Sequence, residues 1–170
     1  MTTQKARPFQ IRPLGDAEGD RAWVERFIVE QWCAEVVVVH DTVYCPSSLP
    51  GLVAWQTGER VGLATYQLDG AACEIVTLDS QRPGIGVGTA LVEAVKRTAR
   101  ATACRRLWLI TTNDNLDALR FYQKRGLVLV AVHRNAVDRA RQTKPEIPKV
   151  GQHGIPLRDE IELEMHLTRE

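Results

Sequence analysis

The chain has 170 residues, of which 44% are hydrophobic and 25% charged, as expected for one folded domain of a globular protein. Its 22 Lys and Arg against 21 Asp and Glu leave a net charge of +1, so the overall composition does not favour a nucleic-acid binder. No apolar stretch approaches the roughly 20 residues that cross a bilayer, and the first ten residues have no apolar core of the signal-peptide kind, which predicts a cytoplasmic protein.

The near-neutral total hides an uneven distribution of charge. Residues 1–80 hold 6 basic and 11 acidic side chains, whereas residues 81–144 hold 13 basic and 4 acidic ones. The basic segment would attract an anion and the acidic one a cation, so the sequence predicts two surfaces of opposite sign.

The cysteines and histidines do not indicate a metal site. The cysteines have no CxxC spacing and are expected to be reduced packing thiols: Cys33, Cys45, Cys73 and Cys104. The histidines form no HExxH or similar pattern: His40, His133, His153 and His166.

The first half of the chain predicts one helix among short strands. A strand over Phe9–Leu14 precedes a helix over Asp16–Trp32, whose apolar residues are spaced by three and four. The stretch from 32 to 49 is less regular and indicates a short strand or a turn of helix followed by a loop. Three strands that would form an antiparallel meander follow: Leu52–Trp55, Val61–Leu68 and Cys73–Leu78.

The second half alternates helices and strands. A helix follows a glycine-rich loop, and the next elements are a buried strand, a helix that Gly126 would end, and an apolar strand: Leu107–Ile110, Leu116–Lys124 and Leu127–Val132. A polar excursion over about 134–158 contains a short helix at Ala136–Arg141. Ile161, Leu163 and Met165 then form a last strand with one solvated face. This order predicts a single mixed α/β domain over residues 1–170.

The loop before the first of these helices holds three alternating glycines, Gly84, Gly86 and Gly88. Glycines followed by a helix start form an anion cradle, because several backbone N–H groups can point at one place. A P-loop is excluded because no Lys-Ser/Thr pair closes the loop, and a Rossmann site because the spacing and the preceding meander do not fit. A tight turn without a ligand remains the alternative.

Two segments together resemble the GNAT superfamily of N-acetyltransferases. The stretch Gln81 to Leu91 resembles the pyrophosphate loop Q/R-x-x-G-x-G/A in two registers, and the one preferred here places Pro83 where Gln or Arg is usual. Residues 115–127, NLDALRFYQKRGL, are similar to the family pattern N-x-x-A-x-x-F-Y-x-x-x-G-F. The resemblance implies a mainly antiparallel sheet flanked by helices and acetyl-CoA as cosubstrate, without a metal.

The resemblance also implies a set of donor-binding residues. The backbone of the strand before the loop would pair with the pantetheine arm, the loop amides would hold the pyrophosphate, and the following helix would contact the arm near the thioester. These residues are Val76, Thr77, Leu78, Arg82, Gly84, Ile85, Gly86, Val87, Gly88, Thr89, Asn115, Ala118 and Tyr122.

Two residues are catalytic candidates by the same resemblance. Glu74 would remove the proton from the attacking amine, and Tyr122 would protonate the departing thiolate. Glu74 could instead be a surface or ion-pairing residue, and Tyr122 a packed tyrosine.

The acceptor would enter near the first helix and the last strands. The candidates for its pocket, besides Glu74, are Trp32, His40, Asp41 and Tyr66 with Tyr44, each of which could also be ordinary packing or loop. The acidic residues of this region are expected to attract a small cationic amine, for instance an aminoglycoside: Glu30, Glu35, Asp41 and Glu74. The alternatives are acetylation of a protein lysine or N-terminus, and an acyl-CoA-binding module without catalysis. The last strand also permits a homodimer.

Overall fold

A computed structural model describes residues 9–15 and 18–168, with only the backbone of Glu18. The nine strands in this part of the chain are β1 Gln10–Pro13, β2 Val37–Val39, β3 Thr42–Tyr44, β4 Gly51–Gln56, β5 Glu59–Asp69, β6 Ala72–Ser80, β7 Arg106–Thr112, β8 Val128–His133 and β9 Glu160–His166. The four α-helices within the same residues are α1 Glu18–Trp32, α2 Val87–Ala101, α3 Leu116–Gln123 and α4 Ala136–Thr143.

Seven of the strands form one sheet in the order β1-β4-β5-β6-β7-β9-β8. Every neighbouring pair is antiparallel except β6 and β7, which are parallel because α2 connects them on one side of the sheet. The predicted fold class, a mixed and mainly antiparallel sheet flanked by helices, is confirmed.

Helices α1 and α2 cover opposite faces of this sheet. Val53 and Leu63 pack in a cluster with α1, whereas their neighbours Ala54 and Ala64 belong to the cluster that contains α2. Since successive side chains of a strand point to opposite faces, the two helices lie on opposite sides. Helix α3 shares the cluster of α2 through its buried Tyr122.

The central parallel pair is only partly joined. β6 and β7 pair from Ala72–Arg106 to Ile75–Leu109, and the pairing between them ends there. An extra residue, Val76, interrupts the β5–β6 register just at this point. Beyond it the two strands diverge, and we call this opening the fork.

The stretch from 32 to 49 forms a hairpin of β2 and β3 where the sequence predicted one strand or a turn of helix, then a loop. Its turn places His40 and Asp41 at φ 49° and 59°, the left-handed conformation that two-residue hairpin turns require. The sequence lacks the glycine that usually marks such a turn, so the hairpin was missed.

The excursion is held to the rest of the fold by specific bonds. The Arg141 guanidinium donates to the carbonyls of Ile147, Pro148 and Leu157, which closes the excursion on itself. The buried carboxylate of Asp114, just before α3, accepts the N–H of Gln152 at 2.7 Å. The excursion is therefore an ordered wall beside the start of α3.

Three further predictions need correction or limits. Cys73 and Cys104 are buried as expected, but Cys33 and Cys45 are exposed thiols. The strand β9 has no fully solvated face, since Glu162 and Glu164 are half-buried against Arg106. The predicted first turn at residues 16–17 lies outside the described residues.

No helix within the described residues is long and apolar enough to span a membrane. The same residues contain no group of three or more His, Cys, Asp or Glu side chains that could hold a metal ion.

Candidate active site

The glycine loop joins β6 to the start of α2. Gly84 and Gly86 have φ of +83° and +89°, a conformation that side chains oppose, and Gly86 is the residue from which α2 begins. Gly88 has a different reason, because a Cβ there would lie 3.2 Å from Phe121 Cζ. The loop therefore brings the free N–H groups of a helix start to the surface beside α3.

A pocket of about 680 Å³ lies between this loop and α3, and we call it the glycine-loop pocket. Four cations and a single carboxylate line it: Arg82, Arg120, Lys124, Arg125 and Asp117. Backbone donors, a helix N-terminus and excess positive charge fit the phosphates of a coenzyme A thioester. Ile85, at the loop tip, is exposed.

Arg125 ties the helices on the two sides of this pocket together. Its guanidinium lies over the Phe121 ring, donates to the Phe121 carbonyl at 2.6 Å, and donates through Nε to Thr89 Oγ1 at 3.1 Å. The hydroxyl of the candidate Thr89 is thus engaged from across the pocket.

The first residue of the segment 115–127 begins the helix α3. Asn115 is the N-cap of α3, and its Oδ1 accepts the N–H of Ala118 at 3.0 Å. Tyr122 lies further along α3 and is buried, at 8% exposure. Burial raises the pKa of Tyr122, and the charge of Asp79 adds to it, so the phenol stays protonated.

At the fork, the end of β6 that precedes the glycine loop no longer pairs with β7. Val76 and Thr77 are buried and Leu78 is half-buried on the β6 arm, beyond the last pair with β7. The Thr77 hydroxyl bonds that of Thr65 at 2.8 Å. Because the pairing with β7 has ended, this arm can present its backbone to an extended ligand, as a β-strand would.

A second pocket of about 600 Å³ lies across β6 and β7, at the closed end of the fork, and we call it the acidic pocket. The hairpin forms one wall with Val39, His40, Thr42 and Tyr44, and the sheet forms its base. Glu74 lies on this base, and Asp69 is the other carboxylate that lines the pocket.

Glu74 is 5% exposed and accepts the Tyr44 hydroxyl at 2.7 Å. Burial raises its pKa above the ordinary value; the Tyr44 bond and Arg106 oppose this, and the charge of Glu162 adds to it. A buried carboxylate with a raised pKa has the chemistry of a general base.

The positive charge of Arg106 does not make the pocket cationic. Its guanidinium pairs with Glu162 and with Glu164, the latter at 2.5 Å, and lies 4.9 Å from the ring of Trp108, another lining residue. The two carboxylates offset its charge, so the pocket keeps a negative field.

The residues predicted to bind the acceptor lie in different places in the structure. His40 lines the acidic pocket, and its backbone N–H donates to the buried Glu160 at 3.1 Å. Asp41 is exposed and pairs with Arg139 at 3.2 Å outside that pocket. The assignment of Tyr66 is corrected: it lies in the core with α2, on the other face of the sheet.

Trp32 occupies a third position, at the open end of the fork. Its Nε1 donates to Asp79 Oδ2 at 3.0 Å, and burial raises the pKa of Asp79 to about 6. The exposed Glu30 and Glu35 do not line the acidic pocket.

Sequence reasoning missed several residues of these pockets. Asp69, Arg106 and Trp108 come together only through strand pairing, so no local motif indicates them. Arg120, Lys124 and Arg125 were detectable as a basic run in the segment of α3.

An anion cradle, a forked sheet and a buried carboxylate pocket together define an enzyme of the kind that transfers acyl groups from coenzyme A. The family model of the acetyltransferase (GNAT) family matches residues 21–127, and the chain belongs to this family. It is an acetyl-CoA-dependent N-acetyltransferase, as its sequence resemblance implied.

Two relatives from Bacillus subtilis (strain 168) carry no assigned activity. The chain is 44% identical to the uncharacterized protein YdhI over 79% of this chain and 85% of that protein. It is 41% identical to the uncharacterized protein YxbD over 81% of this chain and 87% of that protein.

Solved structures of low sequence identity share the fold. A Bacillus subtilis acetyltransferase in complex with CoA superposes with a TM-score of 0.69 at 18% identity, over 94% of this chain and 99% of that one. A GNAT acetyltransferase from Elizabethkingia anophelis with acetyl-CoA bound gives 0.66 at 19% identity and the same coverage. The ribosomal-protein-S18-alanine N-acetyltransferase from Escherichia coli gives 0.67 at 16% identity, over 95% and 96%.

Proposed function

We propose that this enzyme acetylates a primary amine of a small cationic acceptor, which binds in the acidic pocket with its nitrogen at Glu74. The observation that carries the proposal is the hydrogen-bonded and buried Glu74 in a pocket with a second carboxylate and aromatic walls. Carboxylates and aromatic faces both attract an ammonium group, so the pocket favours a cation before its proton is removed.

The donor side follows from the charges of the glycine-loop pocket. The amides of Gly84 to Gly88 and the basic side chains on and just after α3 would hold the phosphates, and the backbone of Val76 to Leu78 would hold the arm. Asn115 and Ala118, at the start of α3, would lie beside that arm. The thioester is then delivered toward the closed end of the fork, where Glu74 lies.

The reaction on this arrangement depends on proton transfers at both ends of the bond exchange. Glu74 removes one proton from the acceptor ammonium, and the neutral nitrogen attacks the thioester carbonyl, so that an amide C–N bond forms and the C–S bond breaks. Tyr122 gives its proton to the departing thiolate, and its raised pKa suits a group that must be protonated beforehand. The nitrogen loses its second proton to the Tyr122 phenolate, which restores the phenol, and Glu74 releases the first proton to solvent.

The cationic acceptor is favoured over a polypeptide by the carboxylates of the pocket and by its fixed wall. The hairpin covers one side, and Arg139–Asp41 links its turn to α4, so that the wall is fixed. The proposed acceptor has the size of an aminosugar, as in aminoglycosides, or of a polyamine. We propose that the enzyme acts in the cytoplasm and has no nucleic-acid or membrane partner.

A screen of acetyl-CoA consumption tests the proposal. The amines are aminoglycosides, polyamines, amino acids and short peptides, and each active amine is paired with its N-acetylated form as a control. Turnover is expected with polycationic small amines. Turnover confined to peptides would overturn the small-molecule assignment, and acetyl-CoA binding without any turnover would favour a non-catalytic module.

A further inference from the structure

A third pocket of about 380 Å³ differs from the other two in being mostly apolar. Its walls come from the hairpin, α4 and the excursion, and the side chains that make it apolar are Val37, Val38, Val137, Ala140, Ile147 and Leu157. We call it the apolar pocket. The bonds from Arg141 to the carbonyls of Ile147, Pro148 and Leu157 hold its outer wall in place without a ligand.

The apolar pocket lies beside the open end of the fork. Thr112 lines it and belongs to the part of β7 that no longer pairs with β6. Trp32 lines it from α1 and is bonded to Asp79, near the end of the β6 arm. This wall of the pocket therefore lies next to both arms of the fork, on the face of the sheet that α1 and the hairpin cover.

The hairpin separates the apolar pocket from the acidic one. Val37 and Val38 face the first, whereas Val39 and His40 face the second. The two pockets on this side of the fork thus differ in chemistry, one suited to a cation and the other to a hydrocarbon.

Three charged residues also line the apolar pocket, one basic and two acidic. Lys144 has its Nζ 3.3 Å from the carbonyl of Val36. The carboxylate of Glu160 is already bonded, since both of its oxygens accept the N–H of His40, and Glu146 is exposed. The larger part of the lining is apolar, and this part suits an uncharged chain.

We propose that the apolar pocket holds the acyl chain of the donor, so that the enzyme transfers, besides acetyl, straight acyl chains longer than acetyl. The inference rests on the proposed function, in which the thioester lies in the fork with the amine at Glu74. The reaction is unchanged in its balance: the amine nitrogen forms a C–N bond to the acyl carbon, the C–S bond breaks, and coenzyme A leaves as the thiol.

The test is a series of donors with one amine acceptor: acetyl-, butanoyl-, hexanoyl- and octanoyl-CoA. Dissociation constants are measured by calorimetry, and kcat/KM by release of the thiol. Each buried methylene is expected to tighten binding about fourfold until the pocket is full.

Two substitutions and a control assign the effect to the pocket. Ala140→Leu fills the pocket from α4 and is expected to lower the preference for octanoyl over acetyl at least about tenfold. Gln142→Leu adds the same side chain on the exposed face of α4 and should leave the preference unchanged. Ile147→Ala removes apolar contact without filling the pocket. If Ala140→Leu does not fold, this variant tests whether the acyl chain binds in the apolar pocket.

The failures of the two proposals are distinguishable. Acetyl-CoA that binds and reacts as well as octanoyl-CoA overturns the acyl pocket and leaves amine acetylation intact. If Ala140→Leu instead impairs apolar amine acceptors with the donor series unchanged, the pocket belongs to the acceptor and the inference is wrong. Absence of turnover with every donor overturns the proposed function, and the binding constants then still test the acyl pocket.

Discussion

The glycine-loop pocket and the acidic pocket lie on the two sides of one fork and recognise charge by different means. The first relies on backbone N–H groups and exposed cations that two continuous segments supply, 80–89 and 117–125. The second relies on one buried carboxylate whose charge depends on side chains from the hairpin, β7 and β9. Damage to the first should therefore weaken donor binding, whereas damage to the second should change rate and pH dependence.

The largest expected effect is on the donor side, in Gly86→Glu. A side chain at φ +89° strains the loop with and without the donor, so the loss of affinity comes from the carboxylate, which would replace charge-assisted bonds worth about 1.5–3 kcal/mol each. Affinity for acetyl-CoA should fall about a thousandfold in calorimetry.

The control for that variant is Gly58→Glu, in the turn between β4 and β5. Its φ of +85° gives a similar backbone strain, and the space beside it is open. Normal acetyl-CoA binding by Gly58→Glu and weak binding by Gly86→Glu would assign the effect to the loop. Equal losses would show that strain alone is responsible.

The next effect is on the other side of the fork, in Glu74→Gln. A general base must be ionised, so activity is lost as pH falls through its pKa, and the raised pKa places this acidic limb above the ordinary range for glutamate. The variant should lower kcat about a hundredfold, remove the acidic limb of the rate profile, and bind acetyl-CoA normally.

Asp69→Asn is the matched control, since Asp69 is the other carboxylate of the acidic pocket. It should alter KM for a cationic acceptor and keep the acidic limb. An unchanged limb in Glu74→Gln would exclude Glu74 as the base.

A smaller effect is expected for Tyr122→Phe, on the buried side of α3. A thiolate is a stable leaving group, since thiols titrate near 8.5, so the loss in kcat should be about tenfold, below the usual range for an acid catalyst. Calorimetry should find little change in acetyl-CoA binding. Turnover equal to that of the parent would remove the general-acid assignment.

The two regions also differ in how much of them the sequence predicts. The glycine loop and the segment 115–127 are local patterns, because a helix start and its cap are set by adjacent residues. The acidic pocket depends on contacts such as Tyr44–Glu74, which are 30 residues apart and follow from a hairpin that the sequence did not predict. The charge counts also missed Glu162 and Glu164, which come from the last strand and pair with Arg106 of the pocket.

Tyr66 shows the same limit at a single position. Its register with Ile75 directs it into the core beneath α2, whereas Tyr44 reaches the acidic pocket from the hairpin. Both residues are aromatic and lie in the same half of the chain, so composition and spacing could not distinguish them. Strand pairing and the extra residue at Val76 decide the face of the sheet.

The smallest effect should come from Tyr44→Phe, which removes one hydrogen bond and leaves the ring of the pocket wall. That bond stabilises the ionised carboxylate and lowers the pKa of Glu74 against the effect of burial, so its loss should move the acidic limb to higher pH. The rate should fall on the acidic limb and stay close to that of the parent on the plateau at higher pH. Adding Tyr44→Phe to Glu74→Gln should shift nothing further, because the titrating group is already gone. A limb that stays in place in the single variant would mean that the hydroxyl does not tune Glu74, and the pKa of Glu74 would then depend on burial and the charges of β7 and β9.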